Sequence, residues 1–297
     1  MPTRAAVGDV AVLSTREVGA SGASMIRRRR SGRRIDRTRL AWQVNARWKR
    51  VTSSGASVTA HGAGIADSLR SVSSVIWDRL ALTVVLTGAT LLFFHGNGEI
   101  VADYDDIAPA FNQLGLNFMA VDYRGYGCSQ GTPTVSAMMA DCHRIFDFTE
   151  KWKVETGFSG PMIVMGRSLG SASALELAAS YPDRFDGLII ESGFAWAGPL
   201  LRRLGVEPEG IGYDESAGFA NVDKIKRFDK PTVIIHAEFD HIIPFGDGKT
   251  LYDASPAGEK KLVTIFGANH NDIFLRGLDR YLEAVVDLAR AVTGQRS

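Results

Sequence analysis

An α/β architecture, with a mostly parallel sheet covered by helices on both faces, is what the sequence predicts from residue 86 to residue 297. Three observations lead there. Short apolar and β-branched runs alternate with longer stretches of helical spacing from residue 89 onward. The runs are apolar throughout, as in Met162-Ile163-Val164-Met165, which suits strands buried on both faces. The loops after several of these runs hold the chemically capable side chains, and open α/β sheets place working residues at the carboxyl ends of their strands.

In chain order, strands are expected at 90–95, 117–122, 161–165, 188–191, 231–237 and 261–266, and helices at 103–114, 135–153, 169–180, 246–254 and 273–292. In the last helix Phe274, Leu278, Tyr281, Val285 and Leu288 recur at helical spacing and form a core face, while Gly277 weakens its first turn. An insertion at 194–228, with Trp196, Leu200, Leu201, Leu204 and Phe219, falls between two sheet strands. Two readings of it stand: a cover over the site, or a surface excursion.

The pentapeptide Gly166-Arg167-Ser168-Leu169-Gly170 lies between the apolar run at 162–165 and a helix-forming stretch, Ser171 to Ala179. G-x-S-x-G in that context makes a sharp strand-to-helix turn with the serine at its apex. Ser168 is therefore the candidate nucleophile, the alternative being a serine that caps a helix. A serine hydroxyl needs a base, and the base needs a group to orient it. Downstream, Asp240 follows the strand ending near residue 237, and His270 follows the strand ending near residue 266. The order Ser, Asp, His is the one this turn requires. The chain has six histidines. His143 falls in a helix and His236 inside a strand, so His241 is the rival base. Among acids, Glu191, at the end of the strand at 188–191, is the rival to Asp240.

Together with Phe94-His95-Gly96-Asn97-Gly98-Glu99, Asp122-Tyr123-Arg124-Gly125-Tyr126-Gly127-Cys128-Ser129 and the Ile243-Pro244 pair, these residues make the chain from 87 to 295 resemble the α/β-hydrolase superfamily. The likeness is greatest to its Bem46-like serine hydrolase branch, which includes protein-depalmitoylating thioesterases. The resemblance implies an α/β-hydrolase fold, with a short cap at 194–228, that cleaves ester or thioester bonds through an acyl-enzyme on Ser168. It implies an oxyanion hole from the backbone N–H groups of Asn97 and Leu169, although Gly-Asn-Gly also suits a plain turn. It implies a substrate site near His95, Gly96, Tyr123, Arg167, Phe194 and Trp196. Asp122 to Ser129 is either a loop beside that site or a strand end with Asp122 paired to Arg124. A peptidase or C–C hydrolase would use the same triad, and a ligand-binding protein could keep the fold without the chemistry.

Composition sets the outer bounds. Apolar residues make up 45% and charged residues 23%, as in soluble globular proteins. No H-E-x-x-H, C-x-x-C or Walker-type pattern is present, so neither metal nor cofactor is expected. Two cysteines, Cys128 and Cys142, suit a reducing, cytoplasmic setting. The net charge of +1 hides a split: residues 1–85 carry fifteen basic and five acidic residues, residues 86–297 nineteen and twenty-eight. The acidic catalytic half argues against nucleic acid as its substrate. A small-molecule or lipid-like acyl substrate is expected instead, with peripheral membrane contact as an accessory. Residues 1–85 are an atypical segment in which fourteen of the fifteen basic residues are arginine. That composition fits a poorly ordered tail, a basic arm, or a mispredicted, out-of-frame translation of a GC-rich gene. Residues 1–50 are expected to touch the core little and to be removable without loss of chemistry. The apolar positions between Val72 and Val85 are expected to cover the core or supply a strand.

Overall fold

In the computed structural model, residues 46–51, 57–60, 87–215 and 218–294 are described. The arginine-rich run from Arg27 and the apolar positions between Val72 and Val85 lie outside them. Eight strands form one sheet: β1 (Ala46–Val51), β2 (Ser57–Ala60), β3 (Thr90–Phe94), β4 (Asn117–Val121), β5 (Met162–Arg167), β6 (Gly187–Glu191), β7 (Thr232–Ala237) and β8 (Lys260–Ile265). Their order is β2-β1-β4-β3-β5-β6-β7-β8. The six strands from β4 to β8 run parallel, while β1 and β2 add on antiparallel beyond β4. The helices are α1 (Ala108–Gln113), α2 (Val135–Thr156), α3 (Gly170–Ser180), α4 (Ala197–Arg203), α5 (Asn221–Ile225), α6 (Phe245–Ala254) and α7 (Ile273–Thr293).

Side chains alternate across each strand, so a sheet with helices on both sides needs apolar residues at every position. On one face Leu92, Phe94, Met119, Val164, Leu188, Ile190 and Ile234 pack under Phe146 of α2, Leu175 of α3, Val222 of α5 and Leu251 of α6. On the other, Leu91, Phe93, Phe118, Ile163, Met165, Val233 and Ile235 pack under Phe111 of α1 and Tyr281, Val285 and Leu288 of α7. The expected stripe on the last helix is thus a core face. That helix is kinked at Gly277, whose Cα side lies so close to β8 that an added Cβ would sit 2.5 Å from Ile265 Cγ2.

Because β4 and β5 flank β3 on opposite sides, the chain reverses its direction of travel across the sheet at β3. That switch point opens a crevice at the carboxyl ends of β3 and β5. The loops after β3, β5, β6, β7 and β8 all leave from this one edge.

Within the segment expected to be irregular, residues 46–51 and 57–60 form two short strands. Ala46, Arg47 and Trp48 pair in register with Val121, Ala120 and Met119. The signal was weak because six residues dominated by Arg and Lys hide a strand that periodicity could not find. Without β1, the fully buried β4 would become an edge with unpaired backbone groups. Removal of residues 1–51 is therefore expected to lower Tm and promote self-association, read by differential scanning calorimetry and light scattering. An unchanged Tm and a monodisperse product would show that β1 contributes nothing to the sheet.

Candidate active site

Ser168 follows β5 directly and takes φ of 50°, a left-handed conformation that non-glycine residues rarely adopt. The turn is possible because its flanks lack side chains. A Cβ on Gly166 would lie 2.3 Å from the carbonyl oxygen of Gly170, and one on Gly170 would lie 2.1 Å from that of Phe94. The N–H of Ser168 donates to the Glu191 carbonyl at 2.8 Å, tying the elbow to the end of β6. Ser171, in the first turn of α3, donates its hydroxyl to the Ser168 carbonyl at 2.6 Å.

His270, from the loop after β8, reaches the serine. Its Nε2 lies 3.0 Å from Ser168 Oγ, and its Nδ1 lies 2.7 Å from Asp240 Oδ2. A carboxylate only accepts, so Nδ1 carries the proton and Nε2 is the free base. The other oxygen of Asp240 accepts from the N–H groups of Ile242 at 3.0 Å and Ile243 at 2.8 Å. Burial alone would raise the Asp240 carboxyl. The hydrogen bond and charge of His270 and the N–H of Ile243 outweigh it and hold the carboxyl below the usual carboxylate range. His241 is exposed, whereas His236 is fully buried and donates from Nε2 to the Ile243 carbonyl at 2.9 Å. Its pKa is lowered, chiefly by that burial.

Glu191, the rival acid, does not reach the imidazole: one oxygen pairs with Arg167 and the other accepts from Tyr281 Oη at 2.7 Å. Arg167 itself was expected to meet substrate, but it is buried, and its guanidinium is taken up by Glu99, Glu191 and the His270 carbonyl. His95 is corrected in the same way; Tyr123 is buried too, but it lines the small pocket beside Leu169. His95 is fully buried with Nδ1 against the Gly96 carbonyl, and Tyr123 Oη braces the His95 carbonyl at 2.8 Å. Gly96 is buried and its N–H is held by Glu99. Phe194 is a core side chain packed edge-on against Phe219. Of that set, Trp196, 41% exposed at the start of α4, is the side chain open to a ligand. Arg124 pairs with Asp141, not Asp122, and Asp122 accepts instead from the N–H of Val101 at 2.8 Å.

Among the described residues neither Asn97 N–H nor Leu169 N–H has a backbone acceptor. Asn97 is exposed, and its side chain is steadied by Tyr126 Oη at 2.6 Å. Beside Leu169, a small pocket is bounded by Tyr123, Arg124, Tyr126, Pro133, Thr134 and Met138. The insertion at 194–228 contains α4 and α5. Glu215 holds its α4 end by accepting from Ala197 and Gly198 N–H, and Asp247 does the same for Ala195. No helix among the described residues is long and apolar enough to cross a membrane.

Comparisons with known proteins agree with this architecture. The family described as "Serine aminopeptidase, S33" matches residues 87–207, which include Ser168 but stop short of Asp240 and His270. The alpha/beta hydrolase domain-containing protein aho-3 of Caenorhabditis elegans is 30% identical over 197 residues, covering 65% of this chain and 55% of that protein. The lysophosphatidylserine lipase ABHD12 of Xenopus tropicalis is 32% identical over 188 residues, covering 56% and 47%. The chain thus spans about half the length of these relatives. Among solved structures, the monoacylglycerol lipase of Paleococcus ferrophilus superposes with a TM-score of 0.54 at 17% identity, covering 69% of this chain and 97% of that one. At that identity the likeness is one of fold.

Two measurements check the geometry. Gly170→Ala places a Cβ against the β3 carbonyls and is expected to destabilise the fold by at least ~1–3 kcal/mol, read as a fall in urea midpoint; a wild-type midpoint would mean that α3 can move aside. Asp240 has a folded pKa below its unfolded value near ~3.9, so its ionised form stabilises the fold above that pH, and the contribution fades as pH falls through the folded value. Asp240→Asn should therefore flatten the loss of Tm on acidification below about pH 5; an unchanged acid limb would show that the pairing with His270 adds no stability.

Proposed function

Since the chain belongs to the α/β-hydrolase superfamily, we propose that it is a serine hydrolase that cleaves carboxylic ester or thioester bonds. The observation that carries this reading is the unbroken line Ser168 Oγ, His270, Asp240, with hydrogen bonds of 3.0 and 2.7 Å at the carboxyl edge of the sheet.

His270 Nε2 takes the proton as Ser168 Oγ attacks the acyl carbonyl. The imidazolium so formed is oriented and stabilised by Asp240, which stays ionised. Backbone N–H groups of Asn97 and Leu169 donate to the oxyanion of the tetrahedral intermediate, where fixed donors are worth most because they need no rearrangement. His270 then protonates the leaving alcohol or thiol, and water, deprotonated by the same imidazole, releases the acid. The largely apolar pocket beside Leu169 and the exposed Trp196 at the start of the cap favour an apolar acyl group over a charged one. The printed activity of one relative, a lysophosphatidylserine lipase, supports a lipid-like substrate. The thioesterase branch that the sequence resembles supports an acylated thiol. The peptidase reading keeps one argument in its favour, the description of the matching family as an aminopeptidase.

A fluorophosphonate probe is expected to label Ser168, with Ser168→Ala abolishing label and turnover beyond the residual ~10³–10⁴-fold due to binding and oxyanion donors. His270→Gln should behave likewise, His241→Gln should keep most activity, and Asp240→Asn should cost up to ~10⁴-fold. A panel of short and long p-nitrophenyl esters, acyl-CoAs and an aminoacyl amide separates the substrate classes. Preferred turnover of the amide would replace the ester reading with the peptidase one, and label on Ser129 or Ser171 would remove Ser168 as nucleophile.

A further inference from the structure

The residue beside the nucleophile, Arg167, takes no part in the steps above, yet its buried guanidinium joins the loop that follows β3, the end of β6 and the loop that carries His270. Its Nε donates to Glu99 Oε1 at 2.8 Å, Nη1 to Glu191 Oε1, and Nη2 to the backbone carbonyl of His270 at 2.9 Å. Glu99 passes the connection to the loop after β3, accepting from the Gly96 N–H at 2.6 Å and from Tyr104 Oη at 2.5 Å. Glu191 passes it to α7 through Tyr281, and its own carbonyl holds the Ser168 N–H. One cation therefore joins the residue before Asn97, the nucleophile and the base.

We propose that Arg167 is a positioning residue that fixes the reach of His270 Nε2 to Ser168 Oγ, an inference that rests on the triad reading above. His270 lies on the loop after β8, the edge strand of the sheet, so no further strand of the sheet stands beyond it among the described residues. Asp240 restrains the imidazole at Nδ1, and Arg167 restrains the same residue at its main chain. Two anchors on opposite sides of one Cα fix the ring's position where one would leave it to pivot. Arginine suits the task because its planar fork offers donors in fixed directions to three acceptors on three elements. A lysine ammonium cannot span them at once. The two carboxylates are needed as much as the cation, since a guanidinium buried to this depth without them would be strongly destabilising. Burial would raise the Glu99 carboxyl; Arg167, Tyr104 and the Gly96 N–H hold it below the usual range, in keeping with an ion pair.

The alternative is a cluster that only stabilises the fold, and the two differ in kinetics. With the full chain, kcat and KM on a p-nitrophenyl ester, Tm, and the stoichiometry of fluorophosphonate labelling are measured for wild type, Arg167→Lys, and the double variant Arg167→Gln/Glu191→Gln. Tyr281→Phe serves as a control that loses a buried hydrogen bond without touching the tether. A misplacement near 1 Å costs on the order of 10²-fold in rate, so Arg167→Lys is expected to lower kcat about ten- to a hundredfold. KM should stay within about threefold, since substrate contacts are intact. Labelling should still reach one per chain, more slowly. If Arg167→Lys fails to fold, the double variant, which removes the cation and the fully buried carboxylate and leaves the partly exposed Glu99 held by Tyr104 and the Gly96 N–H, gives the same readout. Wild-type kcat in a folded variant would overturn the proposal, as would an equal loss of kcat in Tyr281→Phe. If the wild type itself neither turns over nor labels at Ser168, the triad reading fails. If it does both and the variants are undisturbed, only the role of Arg167 fails.

Discussion

The close approach of α3 to the ends of β3 and β5 is the constraint on which the site's geometry rests. The helix can begin directly after the strand only if the turn between them is a single residue in a left-handed conformation. That turn closes only if no Cβ stands at 166 or 170, where the nearest backbone atoms would be 2.3 and 2.1 Å away. The consequence is geometric. A serine held above the sheet edge, with its N–H tied to the β6 carbonyl, has its hydroxyl directed out of the core without having to leave the crevice. Everything else in the site is brought to that fixed point by loops leaving the same edge.

Two polar clusters flank the elbow, and the physics of burial treats them differently. Asp240 and His270 form a pair in which each polar atom facing the other has a partner and one imidazole nitrogen is left for chemistry. The Arg167, Glu99 and Glu191 cluster, with Tyr104 and Tyr281 donating to its carboxylates, leaves its guanidinium no direction open to solvent. Charges taken this far from water are a net cost unless their lone pairs and protons are matched. Here matching is achieved by drawing on strands and loops far apart in sequence, so the cluster also registers those elements against one another.

Most of the central architecture could be read in the sequence, because continuous apolar runs between helical stretches have little other use. The six parallel strands and the helices α2, α3, α6 and α7 fall within a few residues of the expected bounds, while the helix expected at 103–114 is reduced to the six residues of α1 after a short 3-10 turn. The triad was legible for a related reason: its members sit in loops immediately after strands, in a fixed order. What could not be read were features whose cause lies elsewhere in space. β1 carries a basic sequence that only its pairing with β4 makes a strand. His95 and Arg167 resemble ligand-facing residues by position, and only the packing shows that each is turned inward. One signal was available for Arg167 and Glu191: two opposite charges at the ends of neighbouring buried strands need partners, and each is the other's neighbour in register.

The two histidines near Asp240 differ in burial and in the partners of their ring nitrogens. His236 Nε2 stands 3.6 Å from Asp240 Oδ2, and a cationic ring there would place a second positive charge beside the carboxylate that holds His270. Desolvation prevents this by lowering the His236 pKa, so the ring remains neutral and has one N–H to give, which goes to the Ile243 carbonyl. Its other nitrogen faces Gly248, where an added Cβ would sit 2.4 Å away, and it finds no hydrogen-bond partner among the described residues. The unpartnered nitrogen carries a cost of about 1–3 kcal/mol if no water reaches it. In exchange, the carboxylate's second oxygen is left to His270 alone, while its first is saturated by the Ile242 and Ile243 N–H groups. The orientation of the base thus depends on a neighbour that is kept neutral as much as on the acid that holds it.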